Sequence, residues 1–280
     1  MKASIVLVTH NHLPYIKGCV RRLAAHTSPS SHELIVIDNG SDAETVRFIR
    51  GLESALATHV VFNDENRGYA AACNQGIHLS SAPLIVFLHT DCFVTPQWLE
   101  QLVEHRSPKW GDTFHIGAVM PVTNYANEEF VVYDLELRRR FVDYKLPNKS
   151  HPTEEEIETV LRHTYPDGLE RFAASIRWRT PLVYSADISS FCAMFGREVF
   201  DECGLFDEKF PLRGYEDKDF HMRMKRHGFE AWIAQDCFVH HFGNITSDGD
   251  FCFPDVMEAN KQRFDSVWGQ SESVGRVEKR

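Results

Sequence analysis

Short apolar runs alternate with longer amphipathic segments over the first 120 residues. The runs at 5–8, 34–37 and 84–88 are continuously apolar, as expected of strands that are covered on both faces of a sheet. The predicted strands are 4–9, 33–37, 59–62 and 84–88, and the predicted helices are 15–26, 43–56, 69–79 and 96–105, the last capped by Thr95. Repeated strand-then-helix units indicate an α/β fold: a Rossmann-like, mostly parallel sheet with right-handed crossovers, flanked by helices.

The alternation breaks at about residue 124. The sequence TEEE at 153–156 has the composition of a capping box and predicts a helix that ends near His163. The sequence PDG at 166–168 predicts a turn before another helix. We therefore interpret residues 124–180 as a helical insertion that lies over the ligand edge of the sheet.

The α/β pattern resumes after the insertion. The predicted elements are an apolar segment at 185–195, a helix at 197–203, an acidic helix at 215–227 ended by Gly228, and a pair of strands within 230–242. Residues 1–269 are interpreted as a single domain, and residues 270–280 as a polar, frayed C-terminal tail.

The composition indicates which binding partners and which cellular compartment to expect. The chain has 280 residues, and its formal net charge of −10 argues against a broad electrostatic interface with nucleic acid or with an anionic membrane. The apolar run at 3–8 is too short for a signal-peptide core or a membrane span. Seven cysteines without a C-x-x-C pair match neither a disulfide framework nor a structural zinc site. We therefore expect a soluble, cytoplasmic protein with reduced thiols, and leave open whether it forms a homo-oligomer.

Two polar turns follow predicted strands and have the chemistry of a nucleotide site. Asp38 opens the turn DNGS at 38–41, where its carboxylate can accept from a nucleobase N–H or a ribose hydroxyl; the alternative is an Asx turn that only ends the strand. Arg67 and Gly68 precede a helix that begins with small residues, so a guanidinium and a helix N-terminus can both face a phosphate. The alternative for Arg67 is a solvated loop charge.

Asp91 follows the most apolar predicted strand and has the chemistry of a metal ligand. A carboxylate there is either a strand terminator or an oxygen ligand for a hard divalent ion that is shared with phosphates. His240, in the sequence VHHF at 239–242, would complete a mixed O/N ligand set that suits Mn²⁺ better than Mg²⁺, with His241 as the second choice. The alternative is that these histidines are structural.

The acidic sequence EDKD at 216–219 begins a predicted helix. Negative charge is favoured at this position by the helix dipole, and Asp219 with Arg223 has the spacing of an i,i+4 ion pair. A carboxylate in the first turn of a helix that faces a cleft is also well placed as a general base, for which Asp217 is the candidate, with Glu216 beside it.

Taken together, these motifs resemble those of the family 2 glycosyltransferases, inverting enzymes with the GT-A fold that move a sugar from a nucleotide diphosphate donor to an acceptor hydroxyl. The matching motifs are THN at 9–11, DNGS at 38–41, NRG at 66–68, Asp91, GLFDE at 204–208, YEDKD at 215–219 and HG at 227–228. The resemblance covers about residues 1–120 and 185–245.

The resemblance implies a role for each matching position. The residues that it implies for binding of the nucleotide sugar are Thr9, Asn11, Asp38, Arg67, Gly68 and Asp91. Asp91 and His240 would hold a divalent metal, Mn²⁺ by preference and Mg²⁺ otherwise, and Asp217 would accept the proton of the acceptor hydroxyl. The donor is expected to carry UDP. The acceptor class stays open between a glycan, a lipid-linked glycan, a protein and a nucleic acid.

One departure and two other functions have to be weighed against this interpretation. His89 stands two positions before Asp91, where the family commonly has an acidic or amide residue, so the metal ligand set is open. A binding module of the same fold, without turnover, is the main alternative function. A nucleotidyltransferase ranks behind it, because such an enzyme would need a Gly-rich N-terminal loop and residues 9–17 contain no glycine.

Overall fold

The computed structural model describes residues 2–52, 59–106, 115–126, 130–131, 151–179, 181–243 and 253–269. The strands in this part are β1 (Ala3–Thr9), β2 (His32–Asn39), β3 (His59–Asn63), β4 (Leu84–His89), β5 (Cys92–Val94), β6 (Ile116–Val122), β7 (Leu182–Ser185), β8 (Cys192–Gly196) and β9 (Glu230–His241). The helices are α1 (Leu13–His26), α2 (Ala43–Leu52), α3 (Tyr69–Leu79), α4 (Trp98–His105), α5 (Glu154–Thr164), α6 (Leu169–Ile176), α7 (Arg197–Cys203), α8 (Glu216–Arg226) and α9 (Phe253–Trp268).

These strands form one mixed sheet in the order β3-β2-β1-β4-β8-β6-β9-β5, with β7 also paired to β9. Strands β1 to β4 are parallel to one another, as predicted from their apolar runs. Strand β8 is antiparallel to β4 and to β6, whereas β6 and β9 are parallel. Because the central strands are buried along nearly their whole length, the sheet is covered on both faces.

Close packing of α3 on β1 explains the small residues of that helix. Ala70, Ala72 and Gly76 are buried, and a Cβ at Gly76 would overlap the side chain of Val6. Small side chains allow the helix backbone to approach the sheet, so the start of α3 is held next to the end of β2. This places the loop at 66–68 beside the turn at 38–41.

The described part of the insertion has the two helices that the sequence predicts. Thr153 Oγ1 accepts from Glu156 N over 3.2 Å while Glu156 Oε2 accepts from Thr153 N over 2.7 Å, which is the predicted capping box of α5. Helix α6 follows the turn at 166–168. Residues 132–150 of the predicted insertion lie outside the described residues, as does the tail at 270–280.

Three local predictions were wrong. The pair of strands expected within 230–242 is the single strand β9, because Asp236 is not in a turn but is bonded to His105 Nε2 over 2.8 Å. The fourth helix begins at Trp98 rather than at Pro96. Thr95 does not cap it, since its hydroxyl donates to Phe238 O over 2.6 Å.

Among the helices of the described residues, none combines the length and the apolar character that crossing a lipid bilayer requires.

Two helix glycines provide a matched test of this packing. We expect Gly76→Ala to lower the free energy of unfolding by about 1–3 kcal/mol, because the added methyl group would overlap Val6 in a packed core. Gly51→Ala, with no atom within 4 Å of the added methyl group, should be neutral or stabilise the protein by up to about 1 kcal/mol. Urea unfolding measures both, and equal effects would contradict the close packing of α3 on β1.

Candidate active site

Four strand ends meet at one edge of the sheet. Strands β6 and β9 run in the same direction as β4, because β8 is antiparallel to both β4 and β6. The carboxyl ends of β1, β2, β4 and β9 are Thr9, Asn39, His89 and His241. Ligands of parallel sheets bind beyond this edge, and the loops that follow these strands carry most of the candidate residues.

Thr9 and Asp38 form a buried pair at the ends of β1 and β2. Thr9 Oγ1 donates to Asp38 Oδ1 over 2.9 Å, and Ser41 N donates to Asp38 Oδ2 over 3.1 Å. Asp38 is only 1% exposed. Asp38 therefore stabilises the turn after β2 through its side chain, and a nucleotide would have to use the lone pairs that these bonds leave. Nucleotide binding by Thr9 and Asp38 stays a prediction.

Asn11 joins the loops after β1 and β2. Its backbone N–H donates to Ser41 Oγ over 2.8 Å, and its side-chain Oδ1 accepts from Asp42 N over 2.8 Å. Asn11 has a φ of 54°, a left-handed conformation that asparagine tolerates better than most residues do. The loop is thus fixed at the edge of the sheet, where Asn11 is close to Asp38, and its contact with a nucleotide stays a prediction.

Asn39 organises the loop that carries Arg67 and Gly68. Its Nδ2 donates to Asn66 Oδ1 over 2.9 Å and to Gly68 O over 3.2 Å, and its Oδ1 accepts from Arg67 N over 3.1 Å. The side chain of Arg67 is exposed. The first N–H of α3 donates to Leu212 O over 2.6 Å, so this helix start is already partly bonded within the protein. A phosphate contact of Arg67 or Gly68 stays a prediction.

His89, Asp91 and His241 form a compact cluster at the same edge. One potential ligand atom of each residue lies within 4.8 Å of those of the others. His241 Nε2 is 3.3 Å from Asp91 Oδ2, and His89 Nδ1 is 4.0 Å from Asp91 Oδ1. A carboxylate between two imidazoles is an O/N donor set that suits Mn²⁺ and related divalent ions better than Mg²⁺.

The surroundings of this cluster determine the charge of its members. Burial lowers the pKa of His89 to about 4, so its ring is neutral at pH 7. Burial alone would raise the pKa of Asp91, but His241, His89 and the Gly243 N–H outweigh it and hold that pKa well below its usual range. The carboxylate of Asp91 is therefore ionised although the residue is only 4% exposed.

A backbone carbonyl sets the orientation of the His241 ring. His241 Nδ1 lies 2.7 Å from Tyr125 O, which can only accept, so Nδ1 carries a proton. Nε2 faces Asp91 Oδ2 over 3.3 Å: it donates to that carboxylate when it carries a proton, and it offers a lone pair to a metal ion when it does not. Metal-binding histidines are commonly held in this way, with the other ring nitrogen donating to a carbonyl or a carboxylate.

His240 lies away from the cluster. Successive residues of a strand face opposite sides of the sheet, and His240 is fully buried in contact with the rings of Phe93 and Phe242. Its Nδ1 is 2.8 Å from the Tyr165 hydroxyl, and burial lowers its pKa well below the usual value. The expectation that His240 lies beside Asp91 is therefore corrected: the structure places His241 there.

Glu216 and Asp217 open α8 in a poorly solvated environment. Asp217 Oδ1 accepts from Lys218 N over 2.8 Å, and Ser190 Oγ lies 3.5 Å from Asp217 Oδ2. Burial raises the pKa of both carboxyl groups; Asp217 raises that of Glu216 further, and Asp187 raises that of Asp217 further. Adjacent carboxyl groups in such a site titrate as a pair. They therefore bind protons at a higher pH than exposed carboxyl groups do.

Tyr69 connects the histidine cluster with the acidic pair. Its ring centroid is 5.3 Å from that of His89, and its hydroxyl donates to Ser190 O over 3.4 Å. Ser190 is the residue whose hydroxyl faces Asp217. A chain of contacts through His89, Tyr69 and Ser190 thus connects Asp91 with Asp217, and a single site that contains both stays a prediction. Sequence analysis assigned Tyr69 no role, and its position directly after Gly68 is the only signal that pointed to it.

Comparison with known proteins identifies the family. The model of the family described as "Glycosyl transferase family 2" matches residues 4–204. The chain belongs to glycosyl transferase family 2. The match includes the strands β1 to β4 and Asp91 but ends before Asp217 and His241.

Two curated relatives match different lengths of this glycosyl transferase family 2 chain. The chain is 34% identical over 100 residues to Glycosyltransferase AglE of Haloferax volcanii, which covers 35% of this chain and 33% of that relative. It is 26% identical over 223 residues to the Uncharacterized glycosyltransferase YwdF of Bacillus subtilis, which covers 80% of this chain and 68% of that relative. The matched part thus spans about a third of AglE.

Similarity to two solved structures shows that this glycosyl transferase family 2 chain has the GT-A fold. One is GalNAc-T7 with UDP, GalNAc and Mn²⁺, with a TM-score of 0.66 and 16% identity over 97% of this chain and 49% of that chain. The other is the mannosyltransferase PcManGT of Pyrobaculum calidifontis with GDP-Man and Mn²⁺, with a TM-score of 0.55 and 18% identity over 94% of this chain and 69% of that chain.

The role of Asn39 in organising the loop that carries Arg67 and Gly68 can be tested by measuring protein stability. We expect Asn39→Asp to lower the free energy of unfolding by about 2–4 kcal/mol, because it replaces two donated bonds with a buried charge that faces two acceptor oxygens. Asp64→Asn, an exposed change in the loop after β3, should stay within about 0.5 kcal/mol of the parent. Urea unfolding measures both, and an Asn39→Asp protein as stable as the parent would refute this role.

Proposed function

We propose that this chain transfers a glycosyl group from a nucleoside diphosphate sugar to an acceptor hydroxyl, with inversion. In this proposal a divalent metal binds His89, Asp91 and His241, and Asp217 is the general base. The observation that carries the proposal is the meeting of two different sites at one edge: a His-Asp-His cluster and a half-buried carboxyl group whose pKa is raised. Tyr69 lies between the two.

Asp217 is suited to accept the proton of the acceptor hydroxyl. Its pKa is raised to about 6, so it is mostly ionised at pH 7 and is still a stronger base than an exposed aspartate. A positioned general base accelerates such a reaction by about 10²–10⁴-fold. One base that assists a single displacement at the anomeric carbon gives a product of inverted configuration. Glu216, 3% exposed beside it, binds a proton at still higher pH.

The residues of the histidine cluster fit a divalent ion. Asp91 is ionised, His89 is neutral, and the ring of His241 is oriented by Tyr125 O. When bound there, such an ion would neutralise the negative charge that develops on the diphosphate as the sugar leaves. Mn²⁺ as the ion is supported by the donor set and by its presence in the two structural neighbours.

The identity of the donor nucleotide is a further part of the proposal. The GalNAc-T7 structure contains UDP, which supports UDP, whereas the PcManGT structure contains GDP-Man. Thermal shift with UDP-, GDP- and dTDP-sugars, each with and without Mn²⁺, separates these donors. Stabilisation by one nucleotide class that requires the metal, followed by sugar transfer or donor hydrolysis, is the expected result. Binding without turnover over a wide acceptor screen would favour the non-catalytic binding module instead.

The base can be tested by its pH dependence. We expect kcat to fall about tenfold per pH unit below about pH 6, because protonated Asp217 cannot accept a proton. Asp217→Asn should lower kcat by about 10²–10⁴-fold and remove this acid limb, while donor affinity changes by less than about twofold.

The matched control for this test is Asp201→Asn, an exposed change on α7 that should leave the pH profile unchanged. Stopped assays over pH 5–8 provide the measurement. An Asp217→Asn variant with the parental rate would exclude Asp217 as the base.

The choice between the two histidines can be tested by metal binding. We expect His241→Ala to weaken Mn²⁺ binding by at least about tenfold, because it removes a ring nitrogen that faces Asp91. His240→Asn should lower stability by loss of packing but leave Mn²⁺ affinity within about twofold, since His240 is bonded to Tyr165 instead. Titration of free Mn²⁺ by EPR measures both affinities. If both variants are folded and lose Mn²⁺ affinity equally, His240 is also a metal ligand and this assignment is wrong.

A further inference from the structure

One asparagine of α9 holds the loop that leads into α8. This loop, residues 211–215, connects the core of the domain to Glu216 and Asp217. Asn260 is 1% exposed, and its Nδ2 donates to three carbonyl oxygens of the loop. The acceptors are Pro211 O at 3.2 Å, Arg213 O at 3.1 Å and Gly214 O at 2.9 Å.

The 211–215 loop has a backbone conformation that needs such support. Leu212, Gly214 and Tyr215 have φ values of 58°, 96° and 73°. The left-handed region is unfavourable for residues with a Cβ, and leucine and tyrosine seldom adopt it. Met257 of α9 also packs directly over Gly214, where a Cβ would overlap its sulfur atom. The loop is therefore kept in shape from the α9 side.

The other side of the loop contacts the candidate donor site. Tyr69 N donates to Leu212 O over 2.6 Å, and a Cβ at Gly68 would lie 3.1 Å from Leu212 N. Arg213 follows directly and is half-buried. Its carbonyl accepts from Asn260, and Leu212 before it contacts Gly68 and Tyr69, so Arg213 is carried beside the candidate donor site. Burial lowers the pKa of its guanidinium, and the carboxylates of Asp91 and Glu216 oppose that shift.

Helix α9 is itself fixed to α8, so it can act as a brace. Trp268 Nε1 donates to Asp219 Oδ1 over 2.9 Å, and the guanidinium of Arg226 lies 4.0 Å from the Trp268 ring centroid. Phe264 and Trp268 form a small separate core with Phe210. Helix α9 therefore holds the 211–215 loop in a fixed position relative to α8.

We infer that Asn260 is a positioning residue, which fixes the 211–215 loop so that Arg213 binds the diphosphate of the donor. A guanidinium matches phosphate oxygens through two parallel N–H groups, which makes a nucleoside diphosphate the ligand class that suits this position. The inference rests on the proposed function. It adds a pair of residues that lie outside the segment matched by the family model.

The experiment measures binding of UDP and of GDP, each with Mn²⁺, together with hydrogen exchange of residues 211–215 without ligand. The variants are Asn260→Ala, the milder Asn260→Ser, Arg213→Ala and the double variant Asn260→Ala/Arg213→Ala. The control is Gln262→Ala, an exposed change on the same helix whose side chain is bonded to Glu258. All variants are compared by thermal unfolding, so that a local effect is distinguished from loss of the fold.

We expect Asn260→Ala and Arg213→Ala each to weaken the nucleoside diphosphate that binds the parent by about tenfold or more. The double variant should bind this ligand no more than about twofold less tightly than the single variant with the lower affinity, because Asn260 acts through Arg213. Exchange in 211–215 should accelerate in Asn260→Ala, less in Asn260→Ser, and not in Gln262→Ala.

Each contrary result has a distinct meaning. Unchanged exchange of the loop in Asn260→Ala, unchanged affinity in Arg213→Ala, or multiplicative losses in the double variant would overturn the inference. A parent protein that binds neither probe would instead refute the proposed donor. In that case the exchange measurement still decides whether Asn260 holds the loop, so the two failures are distinguishable.

Discussion

The backbone ladder between β5 and β9 is the constraint on which the site depends. In this antiparallel pair Cys92 is opposite His241 and Val94 is opposite Val239, and Phe242 N donates to Asp91 O over 3.1 Å. The residue that precedes β5 is therefore held beside the end of β9. No side-chain attraction is needed to bring Asp91 and His241 together, because the hydrogen-bonded register of two strands already does so. A slip of one residue would present His240 in place of His241.

Two kinds of carboxyl group result from two kinds of surroundings in the same site. Asp91 lies between His241 and His89 and accepts from Gly243 N, so it stays ionised in spite of burial. Glu216 and Asp217 are desolvated next to further carboxyl groups, so protons bind them more readily. Carboxyl groups whose environments push their pKa values apart can take different parts in one reaction. The same difference separates the proposed metal ligand from the proposed base.

The strands β1 to β4 and the turns that follow them could be predicted from the sequence, because they are specified mainly by residues that are close together in the chain. Continuous apolar runs identify parallel strands that are covered on both faces, and the turn residues at 38–41 and 66–68 mark where they end. The capping box at 153–156 is equally local, and it identified the start of α5. In these regions, residues close together in the sequence are enough to predict the secondary structure.

The missed features depend on contacts between distant parts of the chain. The choice between His240 and His241 is set by pairing with β5, which is only three residues long and has no sequence pattern of its own. Strand β7 is four residues long and partly exposed, and α9 has a polar surface whose one decisive residue, Asn260, bonds to a loop more than 40 positions away. Propensity and periodicity do not report such interactions.

The segment matched by the family model and the unit that assembles the candidate site are different. The match ends at 204, yet β9 supplies the pairing edge for β5, β6 and β7 and also carries His241. Without β9, three strands would have unpaired N–H and C=O groups, which is costly for a buried sheet. The residues after 204 thus complete the sheet through β9 and contribute the proposed base on α8. Because β9 both completes the sheet and carries His241, the structural and the chemical contributions of this strand cannot be separated by truncation.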